Sequence, residues 1–211
     1  MSKQNMQIVL VRHGETAWNR EVRFRGRADP ALNDVGLQQA EAAARFVVDR
    51  WPVQAVYTSP MKRARQTARA IAEAHELTAQ AFEGLLDIDF GDWQGQSPSD
   101  VKERYPDLLR AWYEAPHTVQ VPGGESLRDV RERVEAGLDT ILELHTGHRV
   151  AMVGHNVVNR VLLCAVIGLG NQYFWRLRQD TCGVTVFEID GPGTGTIVVL
   201  NDTCHLRNLS P

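Results

Sequence analysis

Arg12-His13-Gly14, Arg63 just after Ser59-Pro60, and His155 within Gly154-His155-Asn156 are the residues of this sequence best suited to chemistry. Their types match what phosphoryl transfer asks of a protein: positioning of the reactants and stabilisation of charge on the equatorial oxygens, with little covalent machinery. Arginine offers a planar fork of N–H donors that stays charged at any working pH. A neutral imidazole, whose ordinary pKa is about 6.5, is a competent nucleophile near pH 7, so no metal is needed to generate one. Glycine beside His13 lets a ligand approach the backbone, and Arg-His-Gly-Glu-Thr is ionic where a core would be apolar.

These residues sit where strands end. Ile8-Val9-Leu10-Val11 is a short β-branched run that stops at Arg12-His13 and reads as a buried strand opening into a loop. Asn33-Asp34 begins a helix whose apolar stripe is Leu37, Ala40, Ala44, Val47, Val48 and Trp51. Ala55-Val56-Tyr57-Thr58 is a second strand. Ser59 as N-cap and Pro60 at the first helical position then put Arg63 in the first turn of a helix. Residues 91–125, rich in Trp, Pro and Gly and without a clean period, read as an irregular, partly helical cover that selects substrate. Ser126 with Asp129 is a capping box for a helix along Val130, Val134, Leu138, Ile141 and Leu142, ended by Gly147. Val150-Ala151-Met152-Val153 is a third strand, closing at Gly154-His155-Asn156 before an apolar helix through Leu162, Leu163 and Val166. Residues 183–189 and 196–200 read as two further strands joined by a turn at Gly191-Pro192-Gly193. The alternation predicts an α/β fold: a three-layer α/β/α sandwich with a mostly parallel sheet, in one domain over residues 1–211. Such folds bind ligands beyond the carboxyl ends of the strands.

Composition agrees with that frame. The chain has 211 residues, 43% hydrophobic and 23% charged, with a formal net charge of −3. That charge, with no basic stripe, stacking motif or basic amphipathic helix, argues against nucleic acid and membrane partners, so any anion site must be local. Cys164, Cys182 and Cys204 are odd in number and lack metal-ligand spacing, which suits reduced thiols in a cytosol. No run approaches the roughly 18 apolar residues of a membrane span, and Met1-Ser2-Lys3-Gln4-Asn5 has no signal-peptide layout, so cytoplasmic residence is expected.

Leu10-Val11-Arg12-His13-Gly14-Glu15-Thr16 followed by Trp18-Asn19 resembles the signature of the histidine phosphatase superfamily. This is the branch shared by cofactor-dependent phosphoglycerate mutases and small bacterial phosphatases. Ser59-Pro60-Met61-Lys62-Arg63-Ala64-Arg65-Gln66-Thr67-Ala68 resembles its second block and Gly154-His155-Asn156 its third, so the matches span nearly the whole chain. The resemblance implies a phosphoglycerate mutase-like fold and His13 as the residue phosphorylated in the intermediate. Arg12, Arg63 and His155 would hold the phosphoryl charge, and Asn19 would contact it. Lys62, Arg65 and Arg69 are assigned to the solvated face. The family carboxylate that protonates the leaving oxygen precedes a Gly-x-Trp-x-Gly segment, usually as glutamate. Here Asp87, one methylene shorter, stands before Gly91-Asp92-Trp93-Gln94-Gly95 and is preferred to Asp89. Pro122-Gly123-Gly124-Glu125-Ser126 resembles a loop near the substrate, which brings in Glu125.

The mutases of this family resemble longer chains with an extra insertion in the cover, for which this chain lacks the length. The expected activity is therefore that of a metal-independent phosphomonoesterase, with water attacking the phosphohistidine. The C-terminal segment from Leu200 to Leu206 is similar to that of metal-independent phosphoserine phosphatases, although those carry a histidine where this chain has Phe90. The expected substrate is a small phosphorylated metabolite: phosphoserine, a sugar phosphate or a phosphoglycerate derivative. Arg23, Arg25-Gly26 and Arg27 border the first motif and are candidates to meet a second anionic group, as are Asn156 beside His155 and His205 if the C-terminal tail folds over the pocket. No cofactor is called for, and apolar edge strands near the C-terminus would permit a homodimer. Two alternatives stand beside this reading, a cofactor-dependent phosphoglycerate mutase and a catalytically silent phosphate-ester-binding regulatory module.

Overall fold

Six strands form a single sheet in the order β3-β2-β4-β1-β5-β6 in the computed structural model, which describes residues 5–189, 191 and 193–209. The strands are β1 (Met6–Arg12), β2 (Ala55–Thr58), β3 (Ala79–Ala81), β4 (Arg149–Gly154), β5 (Val184–Ile189) and β6 (Thr196–Asp202). The pairings of β1 with β4, β4 with β2 and β2 with β3 are parallel, while β5 and β6 join the β1 side antiparallel. A mostly parallel sheet is therefore what the alternating pattern encodes.

Alternation along β1 separates two cores. Ile8 and Leu10 point to a face shared with Tyr57, Met152 and Phe187, where α6 (Leu127–Leu144) and α7 (Asn156–Val166) pack. Val9 and Val11 point to the other face, with Val56, Ala151 and Val153, under α2 (Asp34–Arg50) and α3 (Lys62–Ala74). Every residue of β1 except Gln7 is buried, as a strand covered on both faces requires. The helices cover both faces of the sheet, which makes the three layers.

Caps explain the helix starts. Asn33 accepts a hydrogen bond from Gly36 N at the head of α2, and Ser126 and Asp129 form the expected capping box on α6. The structure departs from the sequence reading at several ends. Helix α3 begins at Lys62 rather than at Pro60: Met61 keeps an extended backbone, and the Ser59 hydroxyl accepts from Met61 N at 3.4 Å. Arg63 remains in the first turn. Trp51 lies past the end of α2, and α6 stops at Leu144, with Gly147 in the following turn at φ +76°. Strand β3 was not predicted, because Ala-Gln-Ala carries neither β-branching nor alternation. The segment 91–125 contains two short helices, α4 (Pro98–Arg104) and α5 (Pro106–Glu114). A four-residue helix, α1 (Ala17–Arg20), follows the first motif. Edge strand β6 leaves Val198 and Leu200 exposed. Met1 to Gln4 and Pro192 of the proposed turn lie outside the described residues.

Candidate active site

Strand register brings the two motif histidines together. Arg12 of β1 pairs with Gly154 of β4, so the next residues along these parallel strands, His13 and His155, leave the sheet side by side. Their ring centroids are 5.1 Å apart. Strand β2 is the other neighbour of β4, and the chain leaving it climbs into α3, whose second residue is Arg63. Three adjacent strand ends thus deliver His13, His155 and Arg63 to one point, although 142 residues of sequence separate His13 from His155.

The hydrogen bonds assign roles to the ring nitrogens. Nδ1 of His13 lies 2.7 Å from the Gly14 carbonyl, which can only accept, so Nδ1 carries the proton and Nε2 presents a lone pair. Arg63 Nε points between the rings, 3.3 Å from His13 Nε2 and 3.1 Å from His155 Nδ1. His155 Nδ1 is then an acceptor, and its Nε2 carries a proton. That Nε2 and Arg12 Nε are both buried and have no hydrogen-bond partner among the described residues. Two N–H donors at the same centre are thus left for an oxygen that the protein does not supply.

Arg63 is fully buried and held from three sides. Nη1 donates to the Ala28 carbonyl at 2.7 Å, Nη2 donates to the Gly26 carbonyl at 3.0 Å, and Asp87 Oδ2 lies 3.7 Å from Nη2. Arg12, also buried, donates from Nη1 to the Gln179 carbonyl at 2.6 Å. Burial lowers the Arg12 guanidinium to about 9, with Arg25 nearby adding to the effect, and lowers Arg63 to about 10 against the opposing pull of Asp87. Desolvation first, and the surrounding arginines second, push both histidines well below the usual 6.5, so both are neutral at pH 7. Asp87 moves the other way: burial raises its carboxyl above the usual 3.8, although Arg63 and Arg25 oppose the shift. Burying so many ionisable groups costs several kcal/mol for each charged one, a cost a protein rarely retains without a use for the charge.

A cavity of about 430 Å³ adjoins this cluster, and Arg12, Asn19, Arg25, Asp87, Phe90 and Asn156 are in its lining. His13, Arg63 and His155 lie behind that lining, with at most 1% of their surfaces exposed. Asn19 gives its Oδ1 to Thr16, at 3.0 Å from the backbone N and 2.9 Å from the hydroxyl, which closes the capping box of α1. Three sequence candidates fall elsewhere. Gly26, at φ +51°, contributes its carbonyl to Arg63 rather than a surface to the cavity. Glu125 is not in the lining: its Oε1 accepts from Arg27 and its Oε2 from Asp89 N and Arg133, bracing the loop below. His205 is stacked on Phe46 at 4.6 Å with its Nε2 at 3.1 Å from the Cys182 carbonyl, so the tail packs against α2 and does not cover the pocket. Lys62, Arg65 and Arg69 are exposed, as expected.

Sequence reasoning missed the loop before β5. Gln179 anchors Arg12 through its carbonyl, and Asp180 and Thr181 line the cavity. They arrive there because β5 pairs antiparallel with β1, which brings the start of β5 beside the end of β1. No motif marks them, since a backbone carbonyl serves in any residue type. Trp112, Tyr113 and Trp175 also line the cavity and were not singled out.

Comparison with known proteins identifies the family and the fold. The family profile of the histidine phosphatase superfamily (branch 1) matches residues 8–203. Phosphoserine phosphatase 1 of Hydrogenobacter thermophilus is 36% identical over 201 residues, covering 95% of this chain and 94% of that protein. Among solved structures, YhfR of Bacillus stearothermophilus superposes with a TM-score of 0.88 at 30% identity, covering 95% of this chain and 99% of the other. The mycobacterial glucosyl-3-phosphoglycerate phosphatase in complex with VO3 superposes with a TM-score of 0.84 at 28% identity, covering 93% and 99%. The strand register, the paired imidazoles and a match over almost the whole length lead to one conclusion: this chain belongs to branch 1 of the histidine phosphatase superfamily.

Proposed function

We propose that the chain hydrolyses small phosphate monoesters through a phosphohistidine on His13, without a metal ion. The observation that carries this reading is the hydrogen bond from His13 Nδ1 to the Gly14 carbonyl, which leaves the Nε2 lone pair beside Arg63 Nε in a buried, cationic site. The donor set is built for an anion: arginine N–H groups and the protonated Nε2 of His155 converge where equatorial phosphoryl oxygens would sit.

In the first step His13 Nε2 bonds to phosphorus as the bond to the ester oxygen breaks, and the Asp87 proton passes to that leaving oxygen. Arg12, Arg63 and His155 stabilise the charge carried by the three equatorial oxygens. In the second step water attacks the phosphohistidine, its proton passes to the Asp87 carboxylate, and inorganic phosphate leaves. The enzyme is then as it began. His13 is 1% exposed, so reaching Nε2 requires small shifts of the side chains that cover it, which an entering dianion favours by drawing the guanidinium groups to itself. Asn19 and Asn156 are further contacts at the cavity wall.

Phosphoserine, sugar phosphates and phosphoglycerate derivatives are the candidate substrates, and the names of two relatives, a phosphoserine and a glucosyl-3-phosphoglycerate phosphatase, fall within that range. The test is turnover of p-nitrophenyl phosphate in EDTA, with rapid quench and intact-mass detection of an acid-labile phosphoenzyme. Turnover in EDTA with a phosphoenzyme that disappears in His13→Ala supports the reading. Tight ester binding without turnover would instead favour a regulatory module, and bisphosphoglycerate-dependent interconversion of phosphoglycerates a mutase.

A further inference from the structure

Three large apolar side chains that the fold leaves in solvent converge on the mouth of the active-site cavity. Val22 is 64% exposed, Tyr113 50% and Trp175 37%, and all three line the cavity. Elsewhere such residues would be scattered; together, at the entrance to a pocket, they mark a binding surface.

The indole of Trp175 is fixed from several directions. Its Nε1 donates to the Trp112 carbonyl at 2.7 Å, and the Tyr113 ring stacks on it with centroids 5.7 Å apart and planes at 29°. The Arg160 guanidinium lies 4.8 Å from its centroid, and the buried Trp112 ring meets it edge-on at 5.9 Å. A ring so constrained gives up little entropy when a ligand settles on it. The wall also has a definite charge setting. Arg12 and Arg25 stand with Asp87, at the end where the phosphoryl group belongs. Arg23 is already committed to Glu21 at 2.6 Å and to the Gly95 carbonyl at 2.8 Å, while Glu15 and Asp180 add two carboxylates to the lining. Those two acids are themselves paired, Glu15 with Arg20 at 2.7 Å and Asp180 with Arg178 at 2.9 Å, so away from Arg12 and Arg25 a carboxylate on the alcohol part of a substrate would find the charges of this lining already matched among the described residues.

We infer that the Trp112–Tyr113–Trp175 wall recognises the leaving alcohol, and that the preferred substrates are phosphate monoesters whose alcohol bears a flat, uncharged ring, ahead of phosphorylated amino or hydroxy acids. This inference rests on the phosphatase reading above and narrows it. The ring stacks on Trp175 and Tyr113 while the phosphoryl group reaches His13.

The experiment compares kcat/KM for ethyl phosphate, 2-phenylethyl phosphate and O-phosphoserine in the wild type, Trp175→Ala and Tyr113→Ala. The first two esters have leaving groups of similar reactivity, so their ratio reads recognition of the ring. The wild type should favour 2-phenylethyl phosphate over ethyl phosphate by about tenfold, expressed in KM, and over O-phosphoserine as well. In both variants the ratio of the two alkyl esters should fall toward one. A folding defect would lower both esters together, and Tyr113, half exposed, is replaced with little risk to the core. Equal wild-type efficiency on the two alkyl esters, a preference for O-phosphoserine, or ratios unchanged by both substitutions would overturn the inference and leave the phosphatase intact. Failure to turn over any ester, p-nitrophenyl phosphate included, would overturn both.

Discussion

Asp87 and Arg63 are buried together with Oδ2 3.7 Å from Nη2, and the carboxyl is nonetheless held above its usual range. The separation is too long for a hydrogen bond, and the two Nη groups of Arg63 donate to the Gly26 and Ala28 carbonyls. The guanidinium therefore tempers the desolvation of the carboxyl without capturing it. Asp87 is left able to hold a proton beside a cationic cluster, the state the proposed general acid needs.

Asp87→Asn should separate substrates by leaving group. Turnover of alkyl phosphates, whose alkoxide leaves poorly, should fall by about 10²–10⁴-fold, while p-nitrophenyl phosphate should lose far less. Steady-state kcat on both esters checks this; equal losses would remove Asp87 from the acid role.

The same proton sets a pH limb. In the proposed mechanism Asp87 acts protonated in the first step, so kcat/KM for an alkyl phosphate should decline as pH rises through its free-enzyme pKa, which burial places above 3.8. A pH profile of Asp87→Asn should lack that limb, and an unchanged profile would assign it to another group.

Folding stability should carry the opposite dependence from the two histidines. Both are held well below 6.5 in the folded chain, so the unfolded chain binds more protons as the pH drops past 6.5. Their contribution is complete above that value and is lost on acidification, at up to about 1 kcal/mol per pH unit for each histidine. Urea unfolding between pH 7.5 and 5.5 measures the slope, which His13→Asn and His155→Asn should each reduce.

Arg63→Ala should damage stability as well as activity. It would leave the Gly26 and Ala28 carbonyls and the Asp87 carboxyl without their partner, for a loss of about 3–5 kcal/mol. Denaturant midpoints report that loss. Arg63→Lys should recover part of the stability yet little turnover, since an ammonium cannot reproduce the fork.

Gly36→Ala tests the seat of the first motif. A Cβ at Gly36 would fall 2.1 Å from the Glu15 carbonyl oxygen, and one at Gly14 would fall 2.5 Å from the Gly36 carbonyl oxygen. Both obstacles are backbone, so the loop holding His13 must move away from α2. A stability loss of about 1–3 kcal/mol with a disproportionate fall in kcat is expected; a fall in stability alone would show that the shift does not reach His13.

Much of this molecule is legible in one dimension because its signals are local. A β-branched run of four is a strand wherever it is covered on both faces, and Asn33 and Ser126 cap helices through bonds that span three residues. The weakest local signals were misread for the same reason: Ala-Gln-Ala becomes β3 only because β2 offers an edge, and the start of α3 depends on how the loop from Ser59 to Met61 settles.

The residues of the candidate cluster could be named in advance: Arg12 and His13 after one apolar run, Arg63 after another and His155 after a third, with Asp87 named through the family resemblance of the segment before Trp93. Their joint chemistry was decided elsewhere. Only strand order and register put His13 against His155, only burial among arginines pushed both imidazoles well below their usual range and only burial raised the Asp87 carboxyl above its own, and only the antiparallel approach of β5 brought the Gln179 carbonyl to Arg12. It was also tertiary packing that withdrew Glu125 and His205 from the cavity and set Trp112, Tyr113 and Trp175 around its mouth. Identity follows from a residue and its near neighbours, whereas desolvation and proximity depend on segments more than a hundred residues away, and those are what set two buried imidazoles around one guanidinium.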